Sequence, residues 1–152
     1  MKIIVLAGGL STERDVSLSS AAGICRTLVE KGHDAFLLDV FMGLENAPEN
    51  LEDVFTLPDH GLEIVKNIST EEPDLEAVKA SRPDQSDCFF GPNVIELCRL
   101  ADITFLGLHG GEGENGKLQA SFDLLGIKYT GPDSLGCAVA MHKGVAKQIF
   151  LE

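Results

Sequence analysis

The apolar hexapeptide Lys2–Ala7 (KIIVLA) runs directly into Gly8-Gly9, and this junction constrains the fold more than any other feature of the chain. A short, continuous run of β-branched and aliphatic residues reads as a strand buried on both faces. From Asp15 to Lys31, the residues Leu18, Ala21, Ala22, Cys25, Leu28 and Val29 recur at three- and four-residue spacing, which predicts an amphipathic helix ended by Gly32. Asp34–Val40 (DAFLLDV) reads as a second strand. Strand, helix and strand in under 40 residues form a βαβ unit, so the two strands are expected to be parallel.

The same pattern returns late in the chain. Asn93 is a candidate N-cap for a helix over Val94–Leu100. Ile103–Leu108 (ITFLGL) reads as another buried strand, ending at His109-Gly110-Gly111. A helix over Lys117–Leu125 closes at Gly126, Ile127–Thr130 reads as a short strand, and helical segments run from Ser134 onward. The expectation is an α/β fold with a doubly wound, mostly parallel, Rossmann-like sheet, whose ligands bind at the carboxyl ends of its strands.

Between these regions, Phe41–Pro92 holds five of the six prolines, many acids and only short apolar clusters. Val54–Leu57 and Leu62–Ile68 suggest a hairpin across Pro58-Asp59-His60-Gly61, and Ser69–Gln85 suggests an irregular surface excursion. The segment at about 41–92 reads as an acidic elaboration carrying no chemistry.

The formal net charge of −12 argues against sequence-independent binding to nucleic acid or anionic membranes, which needs clustered Lys and Arg. With 152 residues, 44% of them hydrophobic, the chain can form one domain with a real core. No apolar run reaches the length of a membrane span, and no leader pattern precedes the first strand. The four cysteines match no metal spacing and are expected to be reduced thiols of a cytoplasmic protein.

Both glycine loops follow strands, so residues far apart in sequence can converge at one rim. The first is neither a GxGxxG nor a GxxxxGK[ST] phosphate cradle. The first carries an acid, Glu13, at the start of the following helix. One account is structural: the helix dipole stabilises a first-turn acid, and Thr12 with Asp15 approximates a capping box. The other follows from sign, because a carboxylate at that rim repels phosphate and attracts an ammonium group. His109, flanked by glycines at a strand's end, is a second candidate. Glu112 and Glu114 read as solvated acids, Lys143 as an exposed lysine, and Ser134 and Cys137 lack a nucleophile motif.

Taken together, AGGLSTERDVSLSSA resembles the amino-terminal signature of D-alanine–D-alanine ligases. LGLHGGEGENGKLQASFDLLGIKYTG resembles their second signature, and SLGCAVAMHKGVAKQIF is similar to the run into their ATP-grasp domain. Asn115 and His142 depart from the family, which usually has Asp at both places. The resemblance implies ATP-dependent joining of two D-alanines for peptidoglycan with magnesium or manganese, in a homodimer. It implies that Glu13 orients the first D-alanine through its ammonium, that Val16 and His109 line that subsite, and that Lys143 reaches the ATP phosphates. It further implies a substrate-binding domain over residues 1–140 and, over 141–152, the start of a linker into an ATP-grasp domain outside this sequence. That domain would carry the magnesium ligands, so residues 1–152 alone are expected to be inactive. Joining D-alanine to D-serine or D-lactate, or a stand-alone small-molecule-binding or interaction module, are the alternatives.

Overall fold

The computed structural model describes residues 1–65 and 72–151. Three parallel strands, β1 (Lys2–Ala7), β2 (Asp34–Asp39) and β3 (Ile103–Leu106), lie in the order β2-β1-β3. In register, Ile4 of β1 pairs with Phe36 on one side and Thr104 on the other. The central strand is buried on both faces, which explains its lack of polar alternation. Ile3, Val5 and Ala7 face α1 (Arg14–Glu30), packing on its Leu18, Ala21, Ala22 and Cys25. Ile4 and Leu6 face the opposite layer, where α3 (Val94–Leu100) supplies Val94 and Leu97 and α5 (Lys117–Leu125) supplies Leu118 and Phe122. Helices on both faces of a parallel sheet make the expected doubly wound α/β arrangement.

The expected helix ends hold at two glycines. Gly32 follows α1 with φ 82°, and Gly126 closes α5 with φ 67°. Asn93 is not a side-chain cap. It sits in the left-handed region at φ 63°, and its Nδ2 donates instead to the Leu44 carbonyl oxygen at 2.7 Å. Ile127–Thr130 forms no full strand. Thr104 and Tyr129 share one parallel bridge beside β3, because Thr130 Oγ1, rather than a further ladder group, accepts the bond from the Leu106 amide.

The middle segment departs furthest from expectation. No hairpin forms among the described residues. Leu51–Thr56 and Leu62–Val65 are 3₁₀ turns, and Ile68 lies outside the described residues. Asn50 caps the first turn by accepting from the Glu52 amide at 3.4 Å, while Val54 and Phe55 point into the core. The His60 carbonyl accepts from the Leu37 amide at 2.9 Å, so the segment covers part of the outer edge of β2. Of the expected excursion over Ser69–Gln85, Leu75–Ser81 is a helix, α2, capped by Asp74.

All four cysteines are free thiols. Burial pushes Cys25 up to about 11 and Cys98 up to about 12, so neither forms a thiolate readily.

Candidate functional site

The rim is built where β1 ends. Gly8 and Gly9 both have positive φ, 73° and 83°. A Cβ on Gly8 would lie 2.6 Å from the Asp39 carboxyl carbon, so only glycine lets this turn pass behind β2. The Gly8 amide donates to Ser17 Oγ at 3.0 Å, and that hydroxyl donates to the Gly107 carbonyl at 2.8 Å. One buried serine thus fastens α1 to the ends of β1 and β3.

Arg14 and Asp39 fasten the other side. Arg14 Nη1 donates to the Gly9 carbonyl at 2.8 Å, and Nη2 pairs with the Asp39 carboxylate. Asp39 also accepts from the amides of Phe41 at 2.9 Å and Met42 at 3.1 Å. Both charges are buried, and each is compensated by its partner and by backbone groups.

Arg14 is therefore already committed and leaves its neighbour Glu13 unneutralised. Glu13 stands at the N-cap position of α1 yet makes no side-chain cap bond. The expected Thr12–Asp15 capping box is absent. Ser11 takes that place, its Oγ accepting from the Glu13 amide at 3.3 Å and donating to the His109 carbonyl at 2.7 Å. Ser11 ties the two glycine loops together.

His109 follows β3, and its ring Nε2 lies 3.2 Å from Ser20 Oγ on α1. The short helix α4 (Gly111–Glu114) then brings Glu114 back toward the rim. Carboxylate oxygens of Glu13 and Glu114 and a ring nitrogen of His109 all lie within 4.8 Å of one another. Gly110 takes φ 70°, a backbone conformation that favours glycine, and a Cβ there would be in ordinary contact with Ser11 at 3.4 Å and with the Glu13 carboxyl carbon at 3.7 Å. Val16 is 60% exposed in the next turn of α1. Lys143 opens α7 (Lys143–Phe150), which packs on α6 (Ser134–Met141), and no ion pair joins it to an acid among the described residues.

The structure therefore brings Glu13 and His109 together and adds Glu114, which the sequence alone reads as a solvated acid. Arg14, Ser17, Ser20 and Asp39 also escape sequence reasoning. The available signal was a cluster of polar residues in the first two turns of a helix whose apolar stripe begins only at Leu18.

At the strand ends of this parallel α/β domain, a carboxylate with no ion-pair partner among the described residues thus stands beside an imidazole. The family model described as D-ala D-ala ligase N-terminus matches residues 2–132, and the chain belongs to that family. It is 46% identical over 151 residues to the D-alanine–D-alanine ligase of Lacticaseibacillus casei (strain BL23), covering 99% of this chain and 42% of that protein. It is 49% identical over 156 residues to the D-alanine–D-alanine ligase of Pediococcus pentosaceus, covering 99% and 43%. The chain thus spans roughly two fifths of the length of these relatives. The solved D-alanine–D-alanine ligase of Coxiella burnetii superposes with a TM-score of 0.57 at 25% identity, over 98% of this chain and 41% of that one. The fold also matches the Bacillus anthracis ligase solved with ATP, with a TM-score of 0.58 at 22% identity, over 98% and 36%.

Proposed function

We propose that the chain is the substrate-binding domain of an ATP-dependent D-alanine–D-alanine ligase and holds the first D-alanine for dipeptide synthesis in peptidoglycan precursor formation. The observation that carries this is the unpaired Glu13 carboxylate converging with His109 on a rim built by two glycine loops. Glu13 takes the substrate ammonium as a charge-assisted acceptor, a contact typically contributing about 1.5–3 kcal/mol. Val16 offers apolar surface one turn along α1 for the substrate methyl, and His109 stands beside the same helix, its Nε2 3.2 Å from Ser20 Oγ. Ser11 and Ser17 hold the two loops at fixed separation, so the geometry exists before the ligand arrives.

The rim does not suit ATP. Glu13 and Glu114 put two carboxylates at this rim, which repel a phosphate, and Arg14 is spent on Asp39. In this reading ATP and magnesium or manganese are held mainly by an ATP-grasp domain, and no step is routed through them here. Residues 1–140 form the substrate-binding domain, with the acidic segment 41–92 as its elaboration, and residues 141–152 begin the linker. Exposed Ile149 and Phe150 on α7 support a covering partner domain of the same chain. Lys143, at the start of α7, reaches the ATP phosphates across that junction. The relatives' names support D-alanine as substrate, and the same reading makes the protein a cytoplasmic homodimer. No helix among the described residues is long and apolar enough to cross a membrane.

A chimera tests the reading. Residues 1–152 replace the matching segment of the Pediococcus pentosaceus relative, and phosphate release is measured with ATP and D-alanine. Dipeptide formation is expected. A folded chimera that binds ATP but makes no D-alanyl-D-alanine contradicts the proposal.

A further inference from the structure

The convergence of Glu13, His109 and Glu114 has a second chemical consequence. These residues come from three separate elements, the start of α1, the end of β3 and α4, so their meeting is a product of the tertiary fold. No lysine or arginine among the described residues pairs with Glu13 or Glu114. We propose that Glu13, His109 and Glu114 form a binding site for a borderline divalent cation of the zinc or cobalt class.

Three features select this class. First, two carboxylates and one imidazole supply oxygen and nitrogen donors, a set suited to zinc or cobalt, whereas magnesium and calcium favour all-oxygen shells. Second, the imidazole is held as a ligand requires. Ser20 Oγ lies 2.9 Å from the Val16 carbonyl and 3.1 Å from the Ser17 carbonyl. With its one proton directed at either carbonyl, the hydroxyl accepts from His109 Nε2–H at 3.2 Å. In that tautomer the lone pair is on Nδ1, as when a ligating histidine donates its other ring N–H to a supporting group.

Third, the geometry needs little adjustment. Bonds of about 2.0–2.2 Å to a tetrahedral zinc set donors roughly 3.3–3.5 Å apart. The donors here lie within 4.8 Å, and Glu13 is an exposed side chain free to close the gap by rotamer change. The fourth position stays open to water. A cation seated there would occupy the carboxylate proposed above for the substrate ammonium, making the rim sensitive to such ions. The cation site itself does not depend on the ligase reading, because its binding is read directly.

Zinc titration of the 152-residue chain by calorimetry tests the site, with cobalt absorption to identify the donors. One zinc per chain is expected, with a cobalt spectrum lacking thiolate charge transfer, because exposed Cys88 takes no part. His109→Ala should weaken zinc at least about tenfold, as even the loss of a supporting second-layer contact typically does. Glu13→Gln, at an exposed side chain, should weaken it too while leaving the melting temperature near wild type. His33→Ala should change nothing. Zinc affinity unaltered in both His109→Ala and Glu13→Gln, or abolished only by Cys88→Ser, would overturn the proposal. So would binding of magnesium as tight as that of zinc.

Discussion

The rim and the middle segment are each fastened by a buried arginine, and they use it to opposite ends. At the rim, Arg14 pairs with Asp39 and the Gly9 carbonyl, enclosed from solvent, and Glu13 beside it is left without a cation. In the middle segment, Arg82 is 1% exposed, donates to the Cys88 and Phe90 carbonyls, and stacks 4.8 Å over the Phe41 ring. Its acid, Asp84, is neutralised in place at 2.7 Å and held below the usual carboxylate range by the Ser86 amide and by Arg82. Both arrangements brace a loop. Beside the first, Glu13 has no ion-pair partner among the described residues, and beside the second, Asp84 is paired.

The comparison can be broken by removing each brace. Arg14→Ala leaves the Asp39 carboxylate buried and uncompensated, a loss of about 3–5 kcal/mol. Urea unfolding should show this, and the double variant Arg14→Met with Asp39→Leu should recover much of it. A loss in Arg14→Ala below about 1 kcal/mol would mean that the pair does not brace the rim.

Arg82→Ala should cost less, about 2–3 kcal/mol, because Asp84 can turn to water while two carbonyls lose their donor. Arg82→Lys should rescue it only in part, since an ammonium cannot span the same fork of acceptors. If Arg82→Ala proves harmless, the middle segment is decoration rather than a second braced region.

A smaller effect sharpens the boundary between the regions. Asn93→Gly relieves the left-handed backbone at φ 63° but removes the bond to the Leu44 carbonyl. The two effects oppose, and the net loss by thermal melting should stay within about 1 kcal/mol.

The regions also differ in how they could be read from sequence. The strands, α1 and α5 follow strong apolar patterns, and the rim followed because two glycine loops each come after an apolar strand. Glu13 and His109 were legible at that level. Glu114 was not, because its approach depends on the four-residue turn α4, which has no period to detect. The false hairpin arose because Val54, Phe55 and Leu57 are short apolar clusters compatible with either a strand or a 3₁₀ turn. The caps Asn50 and Asp74 were the signals that pointed to turn and helix. Arg82 gave no signal, since a lone arginine in an acidic segment reads as a solvated charge until the fold encloses it.

The central claim is that Glu13 is held unpaired in order to take a substrate ammonium. In the ligase chimera, Glu13→Gln keeps the shape and removes the charge. Stability should change by less than about 1 kcal/mol, the usual limit for a first-turn acid acting through the helix dipole. Steady-state kinetics should show kcat/KM for D-alanine falling roughly tenfold to a few hundredfold, each tenfold being about 1.4 kcal/mol, with KM for ATP nearly unmoved. Normal D-alanine kinetics in a Glu13→Gln chimera that folds and turns over would contradict the account.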